Sequence, residues 1–125
     1  MKIFTLDEAN AMLAEVRPML ARIKDHYAMI AAHREASQAA ASSAELGGGG
    51  MEGGTKYVRV LYDLGKLTTE LHGLGVQLKD YTRGLIDFPT IRDGRVVLLC
   101  WQLGEGEEIE WWHEVEDGFA GRQRL

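Results

Sequence analysis

Asp87, Cys100 and His113 carry an oxygen, a sulfur and a nitrogen donor, the three ligand types that zinc or iron accepts, in the last third of a 125-residue chain. Their spacing matches no Cys/His signature, so only the fold can decide whether they meet. The stretch between and around them is unusually rich in chemistry, with Trp101, Trp111 and Trp112 close by. Residues 105–117 add seven carboxylates and no Lys or Arg. A lone imidazole in such a field has its charged form favoured, and the group could hold a divalent cation, with zinc, iron and manganese the candidates. Glu105 and Glu108 are the supplementary ligands of this reading. Trp101 and Trp112 are candidate contacts for a ligand or partner, because buried tryptophans so often anchor cores and interfaces. Arg122 joins them, either presenting its guanidinium to an anionic ligand or closing over the acidic stretch as a salt bridge.

A nucleophilic cysteine is disfavoured. An ionised Asp87 beside the thiol raises its pKa, which Lys79 only partly offsets. The plainer reading is a buried structural Cys100 and an Asp87–Lys79 ion pair, since free cysteine is among the most buried residue types.

These residues must be positioned by strands. Asp93-Gly94 is the signature of a two-residue type I′ hairpin loop, which pairs Arg92 with Arg95, Ile91 with Val96, Pro89 with Leu98 and Asp87 with Cys100. Thr82-Arg83-Gly84 reads as a three-residue loop pairing Tyr81 with Leu85 and Lys79 with Asp87. Cross-strand partners share a face, so Lys79, Asp87 and Cys100 are expected side by side. Pro89 donates no ladder bond and needs a bulge or an unpaired edge. The last strand has two registers open. With Leu103 opposite Ile109, Cys100 faces Trp112; with Leu103 opposite Glu110, Cys100 faces His113 and the three donors line up. A helical alternative for the same segment would place Glu110, His113 and Asp117 on one face, but its Glu-x-x-His motif has no second copy to complete a di-iron site.

The first two thirds of the chain is scaffold. Thr5-Leu-Asp-Glu8 is a capping box, and Leu6, Ala9, Leu13, Val16, Leu20, Ile23, Tyr27 and Ile30 follow it at alternating 3,4 spacing, a stripe of the coiled-coil kind. Pro18 should bend this helix without ending it. Helix 1 is expected over 1–44, a Gly-rich connector over 45–54, and helix 2 over 55–75 with Tyr57, Val60, Leu64, Leu67, Leu71 and Leu74 as its stripe. At 1.5 Å per residue the helices measure about 57 and about 29 Å, so helix 2 covers only the distal part of helix 1. The stripe from Leu6 to Ile23 then needs the C-terminal segment, a second subunit, or both. His26, His33 and His72 flank the stripes and read as solvated edge or subunit contacts, with a metal clip as the alternative. Residues 76–125 form the meander and tail, giving one α+β domain: a long antiparallel helical hairpin followed by a small antiparallel β-meander packed on the first helix.

A net charge of −5 repels a phosphate backbone and no basic patch offsets it, which excludes nucleic acid as a partner. No apolar run reaches the roughly 18 residues of a membrane span, and no apolar export segment follows Met1. With one cysteine, a reducing cytoplasmic setting is expected.

Phe4-Thr-Leu-Asp-Glu-Ala-Asn10 with Arg17-Pro18, Gly75-Val-Gln-Leu-Lys-Asp80, Gly84-Leu-Ile-Asp-Phe-Pro89, Leu99-Cys-Trp101, Trp112-His113 and Gly118-Phe-Ala-Gly-Arg122 together resemble an uncharacterised bacterial family, domain of unknown function 2203. The resemblance implies a bacterial cytoplasmic protein and no particular activity, cofactor or partner. Two functional readings follow from the residues. One is a non-enzymatic oligomerising or partner-binding module, a homodimer paired through the uncovered stripe. The other is a metal-binding protein or small metalloenzyme using Asp87, Cys100 and His113.

Overall fold

The computed structural model describes residues 1–43 and 54–125; the Gly-rich connector lies almost wholly outside them. Two helices, α1 (Leu6–Ser43) and α2 (Gly54–Gly73), precede five strands, β1 (Gln77–Asp80), β2 (Leu85–Arg92), β3 (Arg95–Gln102), β4 (Trp111–Glu114) and β5 (Gln123–Arg124). The strands form one antiparallel sheet in sequence order. The architecture is α+β.

The cap of α1 forms as its residues dictate. Glu8 N–H donates to Thr5 Oγ1 at 3.0 Å, and Thr5 N–H donates to Glu8 Oε1 at 2.9 Å. The helix runs unbroken through Pro18. Antiparallel packing of the two helices shows in the cross-contacts, with His33 stacked on Tyr57 at 4.0 Å and His26 Nε2 3.6 Å from Asp63 Oδ2. Two of the flanking histidines therefore serve the helix–helix contact.

The length mismatch between the helices is filled by the sheet. Ala9, Leu13, Val16, Leu20 and Ile23 are buried within a single chain, in one cluster with Leu67 and Leu71 of α2 and with Ile86, Phe88, Val97, Leu99, Trp101 and Trp112 from one face of the sheet. Leu6, expected to start the stripe, is exposed. Phe4 meets Phe88 edge to face at 5.2 Å, and Phe4 N–H donates to Pro89 carbonyl at 2.7 Å. β1 extends only as far as Asp87, and beyond it the N-terminal segment reaches the same edge through the single bond from Phe4 N–H to the Pro89 carbonyl, so no strand ladder calls on the missing proline amide.

The turn at Asp93-Gly94 has φ of 52° and 77°, and the β2–β3 register is the one its two residues impose: Arg92 with Arg95, Pro89 with Leu98, Asp87 with Cys100. The β1–β2 loop differs from expectation. Asp80 pairs with Leu85 and Gln77 with Asp87, with a bulge between Leu78 and Asp80. The physical reason is Asp80 itself, whose carboxylate accepts from Thr82 N–H, Thr82 Oγ1 and Arg83 N–H and so builds a turn one residue longer.

The buried Phe88 ring joins sheet, helix and N-terminal segment. Phe88→Ala should lower the unfolding free energy by about 3–5 kcal/mol in urea denaturation, whereas Lys66→Ala on the exposed face of α2 should change it by less than about 0.5 kcal/mol.

Candidate functional site

The two faces of the sheet differ in kind. The face toward the helices is apolar, and the opposite face carries Asp87, Cys100 and His113, which are 2%, 0% and 4% exposed. One ligand atom from each lies within 4.8 Å of the others.

The register that assembles them is neither of the two expected. Cys100 pairs with Trp111 and Leu98 with His113, so β4 is slipped two residues from the arrangement that would put His113 directly opposite Cys100. A slip of two conserves the face, because side chains alternate with a period of two. His113 therefore still points the same way as Cys100 and reaches diagonally across β3. The slip has a cause in residues 103–110, which are tied to α1: Ile109 N–H donates to Asn10 Oδ1 at 2.7 Å, Arg17 donates to Glu107 carbonyl at 2.6 Å, and Trp101 Nε1 donates to Gly106 carbonyl at 2.9 Å. Residues 111–114 are strand, so the helical alternative does not hold; Glu110 pairs with Arg124 instead of sharing a face with His113.

His113 Nδ1 lies 2.7 Å from the Glu114 carbonyl, and a carbonyl only accepts, so Nδ1 carries a proton and Nε2 is turned to Asp87. Nε2 sits 3.1 Å from both carboxylate oxygens, a separation that requires one further proton held between ring and carboxylate. Burial pushes the Asp87 carboxyl above its ordinary range, opposed chiefly by His113 and more weakly by a hydrogen bond from Cys100. Lys79, expected to pair with Asp87, is exposed and makes no ion pair among the described residues, acting on Asp87 only as a weak, more distant charge; the bulge moves it off the ladder position that Gln77 takes.

Burial first, and the Asp87 charge second, push the Cys100 thiol up to about 12, against a lowering by Arg122. A thiol so raised is a poor nucleophile at neutral pH. Arg122 Nη1 lies 3.9 Å from Cys100 Sγ and 3.0 and 3.1 Å from the two oxygens of Glu105. Its guanidinium packs over both Trp111 and Phe119. Of the two supplementary acids, Glu105 is engaged by Arg122 and Glu108 is exposed on the loop; neither belongs to the cluster. Trp101 and Trp112 are core residues of the helix-facing side, over which Arg17 and Arg92 respectively lie.

Asp87 and His113 also line an open cleft of about 390 Å³, shared with Lys79, Arg83, Leu98 and Phe119. Arg83 and Phe119, which the sequence places in the Thr82–Gly84 loop and the Gly118–Arg122 segment, are site neighbours that were not among the candidate site residues. Arg83 lies 3.9 Å over the Phe119 ring, a contact between the β1–β2 turn and the C-terminal segment that no local pattern announces.

Fold and site together define a helical hairpin laid on one face of a five-stranded antiparallel sheet, with a buried acid, thiol and imidazole on the other. The chain belongs to the family described as uncharacterized conserved protein DUF2203, which matches it over residues 2–125. No curated protein and no solved structure matches it.

The raised thiol has a consequence for stability. In the unfolded chain Cys100 loses its proton near its ordinary value of 9.0, whereas the fold retains that proton to about 12. The native state then binds more protons across this window, so stability contributed by the protonated thiol falls as pH rises from about 9 to about 12. Urea titrations of metal-free protein should show a shallower decline for Cys100→Ala than for the parent over this range; parallel curves would contradict it.

Proposed function

We propose that the protein binds a single divalent transition metal through Asp87, Cys100 and His113. The observation that carries this reading is the buried three-donor cluster beside an open cleft, on a sheet face that the hydrophobic core does not use. Three protein ligands with a fourth position left open is the arrangement of catalytic and exchangeable metal sites, whereas structural zinc sites are closed by four. The hydrogen bond from His113 Nδ1 to a backbone carbonyl is the support that metal-ligating histidines commonly have.

Charge balance favours a divalent ion. The metal-free cluster holds one proton between His113 and Asp87 and another on Cys100. An ion of charge two that displaces both leaves the net charge of the buried site unchanged. The Asp87–His113 pair needs little adjustment, since tetrahedral bonds of about 2.0–2.2 Å set nitrogen and oxygen ligands about 3.4 Å apart, against 3.1 Å here. A thiolate ligand favours zinc or ferrous iron over manganese. A reducing cytoplasmic setting suits the reading, because it keeps Cys100 available as a ligand.

Metal analysis of protein purified without chelator and dialysed against zinc tests this. About one zinc per chain is expected, falling below about a tenth after His113→Ala and after Asp87→Asn, while Glu108→Gln retains the metal. Zinc retained by the His113 and Asp87 variants would refute the site.

A second reading, self-association, is favoured by a different surface from the one the stripe lengths suggested. Val58, Leu61 and Tyr62 are exposed together on α2 at helical spacing. Light scattering at micromolar concentration should then report twice the chain mass, reverting to a single chain in Leu61→Glu/Tyr62→Glu; a monomer at high concentration would count against it.

A further inference from the structure

We propose that the cleft beside the cluster takes a small monocarboxylate, bound end-on to the metal with its anionic group held by Arg83 and Lys79. This rests on the metal-binding reading above and names the class of molecule that its open position receives.

Access decides the direction of approach. Asp87 and His113 line the cleft and Cys100 does not; the thiol is roofed by Arg122 and by the bridge from Arg122 to Glu105. A molecule completing the coordination therefore enters from the side of Asp87 and His113. The volume of about 390 Å³ lies within the range of small-molecule sites, about 300–1,000 Å³.

Charge decides the functional group. Lys79 makes no side-chain hydrogen bond or ion pair among the described residues, its charge acting only at a distance on Asp87, and Arg83 lays its guanidinium face on Phe119 while its charge also acts on Asp80. Its N–H edge donates to no protein acceptor among the described residues, which leaves a fork matched to a planar carboxylate. Besides Asp87, two acids line the same cleft. Asp80 is turned into its own loop, accepting from Thr82 and Arg83 amides, whereas Asp117 remains as a negative charge at the wall. That charge opposes a dianionic phosphate more than a monoanion. Leu85, Leu98 and Phe119 give the ligand's body an apolar seat.

Cobalt-loaded protein provides the test, because a cobalt ion with a thiolate ligand reports its fourth ligand in the visible spectrum. Acetate, isobutyrate and benzoate should each shift the spectrum saturably, the larger two binding more tightly. The paired variant Lys79→Gln/Arg83→Gln should weaken isobutyrate by about tenfold or more while binding cobalt in full. Lys79→Gln alone, at an exposed position, should weaken it by a smaller factor and guards against misfolding of the pair. Retained cobalt with no response to carboxylates, or with the same response in the paired variant, overturns the proposal and leaves the metal site standing. Tighter binding of inorganic phosphate than of isobutyrate overturns the choice of a monoanion. Failure to bind cobalt at all overturns both readings.

Discussion

Asp93 and Gly94 both lie at positive φ, and the handedness this gives the loop matches the right-handed twist of β2 and β3. With only two residues in the loop, Arg92 must face Arg95 and each pair behind it is fixed in turn, down to Asp87 opposite Cys100. A shift of one residue would exchange the faces of an entire strand, driving Asp87 into the helix-packed core and Phe88 out to solvent. The loss of buried apolar surface makes that alternative prohibitive. The helices thus hold the register from one side and the turn holds it from the end, and the outward face inherits whatever residues are left over.

What is left over is chemically costly. Withdrawing a carboxylate and an imidazole from water carries a penalty of several kcal/mol per ion even after relaxation, and such a pair is often no better for stability than apolar residues of the same size. Leu85 and Leu98 are already buried on this face, so an apolar solution was available to the fold. The Asp87–His113 pair is therefore weakly explained by stability. It is better explained by a task that needs donors held rigid and dry next to a cleft, which the inner strands β2, β3 and β4 provide more firmly than loops would.

Much of this architecture was legible in the residues, and what was not has physical reasons. The capping box, both helical stripes and the type I′ turn are local or strictly periodic signals, and each appears where its spacing put it. Two register errors arose where a side chain overrode the pattern of the backbone. Asp80 lengthened its turn by gathering three donors, which moved Lys79 away from Asp87. Asn10 and Arg17, roughly ninety or more positions away in sequence, gripped the loop before β4 and set its slip. Neither contact leaves a trace in local sequence. The slip nevertheless spared the cluster, because a displacement of two residues preserves the face, and His113 is long enough to span the diagonal.

The placement of Arg122 bears on which protonation states the cluster can adopt. A guanidinium 3.9 Å from Sγ favours a thiolate, yet the same positive charge would repel an incoming metal ion. Glu105 resolves this opposition. Its carboxylate accepts from Arg122 Nη1 through both oxygens and cancels the charge at longer range, while the same Nη1 stays 3.9 Å from the sulfur. The outer pair is, on the metal-binding reading, a dipole with its positive end toward the thiol, which favours a deprotonated Cys100 without an uncompensated cation nearby. On the metal-binding reading, Glu105 acts one layer out from the ion, by holding the residue that tunes Cys100, and not as a ligand itself. The stacking of Arg122 on Trp111 and Phe119 fixes that geometry from the opposite side.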